Sequence, residues 1–213
     1  MELYRTIRKE ACETQIIEKS KFIAHAKPVE TREEADKFIG EIKSRYKDAT
    51  HNVPAMVLGE KCQIQWASDD GEPQGTSGAP MVQMLVGEGL TNLVVVVTRY
   101  FGGIKLGPGG LVRAYTSSAK LAVEAAGICS VQQVCRLGVT LDYTYLSRFQ
   151  QMASESISEG DGGFIIGDIN YGEKVRLELI TPEENLEKLT GMIANMTAGT
   201  AIIEEPETAL EKV

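Results

Sequence analysis

The sequence predicts an α+β protein of two domains, and three observations predict it. The chain has 213 residues with 43% hydrophobic residues, which is long for one domain and enough for two ordinary cores. Its charge is unevenly shared. Residues 1–135 carry 16 basic and 16 acidic side chains, whereas residues 136–213 carry 6 and 14, so the net charge of −8 belongs to the C-terminal part. Such asymmetry marks two units with different electrostatic partners. Finally, the last third of the chain alternates strand and helix patterns in the order β-α-β-β-α-β.

In chain order, Cys12–Glu18 and Phe22–Ala26 read as strands around the charged turn Lys19-Ser20-Lys21. Thr31 and Glu34 form a capping box. The helix behind it places Ala35, Phe38, Ile39, Ile42 and Tyr46 on one face. Val53–Leu58 and Cys62–Ala67 flank Gly59-Glu60-Lys61 as a hairpin. The stretch from Ser68 to Pro80 is rich in Gly, Pro, Asp and Ser and reads as a loop. A short helix follows, with Pro80 in its first turn and Met81, Met84 and Leu85 on its buried face. Leu93–Val97 is a β-branched apolar run, expected as a central strand buried on both sides. After the glycine-dense stretch Gly102–Gly110 comes a long helix with Leu111, Ala114, Tyr115, Ser118, Leu121, Ala122 and Ala125 on its buried face, capped by Gly127. A strand over Ile128–Val134 closes this domain.

In the remainder, Leu137, Val139 and Leu141 alternate as a strand, and Leu146, Phe149, Ala153 and Ile157 form a helix face. Phe164–Ile166 and the alternating Val175, Leu177 and Leu179 are two more strands. Thr181-Pro182-Glu183-Glu184 has the residues of a capped helix start, Leu186, Leu189 and Ile193 continue that helix, and Ala201–Ile203 is the last strand. The order is the ferredoxin-like one. The expected domains are residues 1–134 and 135–213.

The longest apolar run, Leu93–Val97, is far short of the ~20 residues that span a bilayer. The first five residues show no apolar signal region. A cytoplasmic location without membrane contact is therefore expected. Cys12, Cys62, Cys129 and Cys135 are scattered, without a Cys-x-x-Cys pair, and are expected as reduced, mostly buried thiols. Only His25 and His51 are present, which excludes a histidine-rich metal site.

Two stretches could carry chemistry. Asp69, Asp70 and Glu72, with Thr76, crowd into one loop. Oxygen ligands of this kind suit Mg²⁺, but the spacing matches no complete calcium-loop pattern. The competing reading is a tight turn whose carboxylates bind local amides, and no metal is assigned. The second stretch is Thr98-Arg99-Tyr100-Phe101-Gly102-Gly103-Ile104-Lys105-Leu106-Gly107-Pro108-Gly109-Gly110, leading from an inner strand into a helix. Amides at a helix start attract anions, although neither a phosphate-loop nor a dinucleotide fingerprint is present. The other reading is a compact connection needing glycine for close packing. The charge map favours the anion: from Gly89 to Val123 there is no Asp or Glu, while Arg99, Lys105, Arg113 and Lys120 fall inside. Of these, Arg99 and Lys105 are expected on the loop as ligands, with Tyr100 and Phe101 able to stack on bases. Lys120 and Tyr115 are expected to be structural. His51 is the one candidate base of its kind, but the preferred reading is a hydrogen-bonded structural histidine.

The run from Asn92 to Gly107, with its apolar strand, arginine, two aromatics and two glycines, resembles the signature of the IMPACT (YigZ-type) family. Asp69–Thr76 resembles a second marker of that family. Ala49-Thr50-His51-Asn52 resembles a third, departing from it at Val53-Pro54. The resemblance covers about residues 15–130. It implies an N-terminal domain with the fold of a small-subunit ribosomal protein's second domain. It also implies a C-terminal ferredoxin-like domain similar to the last domain of elongation factor G. Eukaryotic relatives regulate translation by competing for an activator of a starvation-responsive initiation-factor kinase; they have a different extra domain, which this chain lacks, so that part of the function is not carried over. No catalytic residues and no cofactor follow. The expected function is a non-enzymatic, stress-linked regulator that binds RNA, the ribosome or a translation factor. Its surface would be built from Arg99, Tyr100, Phe101, Gly102, Gly103, Lys105, Gly109, Gly110 and Arg113, with His51, Asp69, Asp70, Glu72 and Thr76 lining it. The alternatives are an enzyme acting on a phosphorylated small molecule at the same loop and a pure protein-interaction module. Sequence-specific DNA binding is not expected.

Overall fold

The architecture follows from which faces the strands must bury. The computed structural model describes residues 2–159 and 163–212. The side chains of residues 156–159, including Ile157 of the expected helix face, lie outside the described residues. The chain divides into two compact units, Tyr4–Ser130 and Val131–Val213 together with Met1–Leu3. The fold class is α+β, as expected. No helix among the described residues is long and apolar enough to cross a membrane.

The N-terminal unit is built on a five-stranded antiparallel sheet. Its strands are β2 (Ala11–Ile17), β3 (Ser20–Pro28), β4 (His51–Leu58), β5 (Ile64–Ala67) and β6 (Leu93–Tyr100), in the order β2-β3-β6-β4-β5. β6 is central, and Val94 to Val97 are wholly buried. Strand alternation sends Val94 and Val96 to one face, where they meet Phe38, Ile39 and Ile42 of α1 (Arg32–Arg45). Val95 and Val97 point to the other face, under α2 (Gly78–Gly87) and α3 (Gly107–Ala126). Each buried valine contributes about 1.5–3 kcal/mol, which explains why this strand is apolar on both sides. The Thr31–Glu34 capping box forms, and Gly127 ends α3 at φ 76°. Preceding these elements is β1 (Glu2–Ile7), which the sequence pattern did not signal and which supplies buried Ile7.

Four expectations need correction here. On α3 the buried stripe runs through Ser118, Ala119, Ala122, Val123 and Ala126; Leu121 and Ala125 face solvent. The expected set drifted off the 3.6-residue period. Met84 on α2 is only partly buried. Cys129 and Cys135 are buried, but Cys62 is intermediate and Cys12 exposed. The two strands expected around Val134 are one strand, β7 (Ile128–Leu141).

In the C-terminal unit the order is β7, α4 (Tyr143–Glu159), β8 (Ile165–Tyr171), β9 (Val175–Pro182), α5 (Leu186–Met196) and β10 (Ile202–Ile203). β10 pairs with β7, β7 with β9, and β9 with β8, all antiparallel. That strand order is the one a ferredoxin-like chain path produces. A final strand, β11 (Glu207–Lys212), also pairs with β7. Leu137, Val139 and Leu141 of β7, Phe149 of α4, Leu177 and Leu179 of β9 and Ile193 of α5 share one core. Thr181 does not cap α5. It is buried in β9 and its hydroxyl donates to the Gly163 carbonyl, while a short 3₁₀ turn over Glu183–Asn185 precedes the helix.

Candidate functional site

The two loops singled out in the sequence meet at one end of the N-terminal sheet, and a buried carboxylate joins them. β6 continues past its apolar run to Tyr100, so Arg99 is a strand residue, not a loop residue. Its side chain is 6% exposed. Nη1 donates to Glu72 Oε1 at 2.6 Å, and Nη2 donates to the Ser20 hydroxyl at 3.3 Å. The guanidinium carbon lies 5.4 Å from the Phe22 ring centroid and 5.5 Å from that of Phe101. The expectation that Arg99 is a solvent-facing phosphate ligand is thus overturned: it is the buried counter-charge of Glu72.

Glu72 collects a second donor. The Tyr115 hydroxyl, from a fully buried position on α3, donates to Glu72 Oε1 at 2.7 Å. Burial, and then this bond to a carboxylate, pushes the Tyr115 phenol far above its ordinary range. His51 stands on the other side, with Nε2 3.8 Å from the same oxygen. Its Nδ1 lies 2.8 Å from the Asp70 carbonyl, which can only accept, so Nδ1 carries the proton. Histidine here fixes the loop and faces the carboxylate. The Glu72 Oε2 atom accepts no hydrogen bond from a described residue, and it is not among the sealed side-chain atoms that lack partners. Arg99 Nε is such a sealed atom.

The other two carboxylates of that loop are turn formers. Asp69 accepts from the amides of Gly75, Ser77 and Gly78 and from the Ser77 hydroxyl. Asp70, at φ 48°, accepts from Lys43 Nζ at 2.5 Å and from the Asn52 amide at 2.6 Å. Thr76 is buried, and its hydroxyl donates to the Pro73 carbonyl. Asp69, Asp70 and Thr76 therefore hold the loop's shape and do not present ligating oxygens. Asn52, which the sequence offered only as part of a motif, and Ser20, which was read only as part of a turn, belong to the same scaffold. Asn52 Oδ1 accepts from Thr98, and Ser20 accepts from Arg99 and from the Gly102 amide. No local sequence signal gives either residue this role.

Burial alone would raise the Asp69 carboxyl. The Gly75 amide, the Ser77 hydroxyl and the Gly78 and Ser77 amides outweigh it and hold the group below the ordinary carboxylate range. A depressed carboxyl lends stability that is present above its unfolded pKa, about 3.9, and lost as pH falls through the lower folded value. Asp69→Ala is expected to cost about 1–3 kcal/mol at neutral pH and to flatten the acid end of the stability profile. Urea titrations of wild type and variant from pH 7 to pH 3 check both effects.

What remains exposed is the glycine loop itself. Gly102 packs on the Lys19–Ser20 backbone so closely that a Cβ would overlap it, which is why glycine is required there. Tyr100 is half-buried and its hydroxyl donates to Asp48. Phe101 is 47% exposed. Gly103 and Lys105 are exposed, while Gly109 and Gly110 lie within the first turn of α3 and not in a free loop. No side chain caps that turn, since Leu106 occupies the capping position. Lys105 and Arg113 are exposed and form no ion pair among the described residues. Lys120, by contrast, pairs with Glu88 at 2.6 Å. A cleft of about 320 Å³ opens beside the loop, and its lining includes Glu72, Arg99, Phe101, Lys105, Leu106 and Pro108.

With that geometry in hand, the chain can be set beside known proteins. The family model of the Impact N-terminal domain matches residues 18–123. The IMPACT family member YvyE of Bacillus subtilis (strain 168) is 39% identical over 210 residues, 98% of this chain and 94% of that protein. The IMPACT family member YigZ of Escherichia coli (strain K12) is 31% identical over 186 residues, 86% of this chain and 88% of that protein. A crystal structure of a hypothetical protein superposes with a TM-score of 0.59 at 28% identity, covering 95% of this chain and 97% of the other.

Proposed function

This chain belongs to the IMPACT family, and from that premise we infer that it is a non-enzymatic regulator acting in the cytoplasm on translation, by binding RNA. The observation that carries the reading is the exposed loop of the N-terminal unit. An exposed ring, Phe101, lines one cleft with Lys105 at the uncapped start of α3, and Arg113 is exposed on that helix. An aromatic face and nearby cations are what a single-stranded nucleic acid uses, the ring for a base and the charges for phosphates. A non-catalytic role fits the ionisable groups around the cleft. Glu72 Oε1 is committed to Arg99 and Tyr115, and the Tyr115 phenol is held protonated. The acidic C-terminal unit is a poor RNA ligand by itself.

A second reading, an enzyme on a phosphorylated small molecule, draws on the cleft, whose volume of about 320 Å³ lies near the lower end of small-molecule sites. Filter binding of single-stranded RNA at several salt concentrations tests the first. Wild-type affinity is expected to fall as salt rises. Lys105→Gln with Arg113→Gln is expected to weaken binding and to make the slope shallower by about 0.7 per lost phosphate contact. Lys188→Gln, in the acidic unit, is expected to change little. No RNA binding at low salt, or unchanged binding by the double variant, overturns the reading.

A further inference from the structure

The cleft beside Phe101 has a lining that specifies more than a phosphate. A simple anion site would surround its ligand with donors. Here the lining also carries an acceptor with a free valence, Glu72 Oε2, because Oε1 already receives Arg99 and Tyr115. The adjoining guanidinium keeps that carboxylate compensated in a side chain only 4% exposed. Its unused oxygen therefore asks for a ligand hydrogen-bond donor, and an acceptor placed there would be repelled. At the rim the Phe101 ring is 47% exposed and offers an aromatic face. Lys105, a free cation among the described residues, stands on the same cleft beside the first turn of α3. Acceptor, ring and cation lie around one volume of about 320 Å³, on the scale of one nucleotide and not of a longer oligomer.

We propose that this cleft holds a single nucleotide whose base carries an exocyclic amino group. The amino group donates to Glu72 Oε2, the base stacks on Phe101, and the phosphate meets Lys105. This deepens the RNA-binding reading and rests on it for one of two sources: a nucleotide splayed out of a single strand, or a free nucleoside monophosphate. Cytosine and uracil separate the chemistry most simply. They have nearly the same size and stacking surface, but cytosine presents an amino group where uracil presents a carbonyl. A carboxylate discriminates sharply between a donor and an acceptor at one position, because the mismatch sets two acceptors against each other and leaves that oxygen without a donor.

The test uses the intact protein and two ligand pairs: CMP against UMP by titration calorimetry, and short oligo(C) against oligo(U) by filter binding. The expected result is a preference of about tenfold or more for the cytosine member of a pair, with affinity for that member lost in Phe101→Ala. A preference in both pairs, or in the oligomers alone, supports the proposal, and the second outcome identifies the strand as the source. A preference for CMP over UMP with no oligomer binding also supports the cleft assignment, while overturning the RNA reading. Equal binding of the two oligomers, lost in Lys105→Gln with Arg113→Gln, keeps the RNA reading and overturns the nucleotide cleft. Equal binding of CMP and UMP with no oligomer preference, or no binding of either pair, overturns the proposal outright. Because the comparison varies the ligand, a change in folding of a Glu72 variant cannot imitate any of these outcomes.

Discussion

Glu72→Ala is expected to destabilise the N-terminal unit by about 3–5 kcal/mol, the cost of leaving one member of a buried ion pair alone. The Arg99 side chain is 6% exposed and would lose its 2.6 Å carboxylate partner. The Tyr115 hydroxyl, fully buried, would lose its acceptor at the same time. Arg99→Ala is expected to fall in the same range for the reciprocal reason. The double change Glu72→Leu with Arg99→Met should recover much of the loss, since apolar groups of similar volume remove both charges together. Denaturant titration of the three variants measures this. A loss under 1 kcal/mol for either single change would mean that the pair is solvated and the scaffold argument wrong.

Phe149→Ala is expected to have an effect of similar size, about 3–5 kcal/mol, confined to the C-terminal unit. Phe149 is fully buried among Leu137, Leu141, Leu177 and Ile193, and its ring lies 6.2 Å from that of Phe164. Each unit has a core of its own, so two unfolding transitions are expected, of which only one should shift. Thermal unfolding followed by near-ultraviolet and amide signals separates them. A single transition that shifts as a whole would show that the units unfold together, whatever their cores.

Those two residues illustrate what the sequence could and could not reveal. Phe149 was legible because a helix face is a local pattern, and so were the doubly buried β6, the Thr31 cap and the Gly127 stop. Arg99 was misread because its partner is 27 residues away in sequence. A window free of acids from Gly89 to Val123 looks positive only until Glu72 folds into it and Glu88, one residue outside, takes Lys120. Strand continuity was misjudged for a related reason. Gln132 and Gln133 interrupt the apolar pattern, but backbone pairing of both with β11 continues through them. Thr181 has the residue type of a cap, yet the burial that β9 imposes on it decides its role. In each case a contact remote in sequence overrode a local signal. Lys105, Phe101 and Arg113 kept their expected exposure because no remote carboxylate reaches Lys105 or Arg113 among the described residues.

The central claim is that the loop from Phe101 into the first turns of α3 touches RNA. Ultraviolet cross-linking of the intact protein to single-stranded RNA, with the attached peptides identified by mass spectrometry, tests it most directly. The account predicts adducts concentrated in the peptide containing Phe101, reduced by excess salt and absent in Phe101→Ala at equal stability. Adducts confined to residues 135–213, or none at RNA concentrations that saturate filter binding, would contradict it.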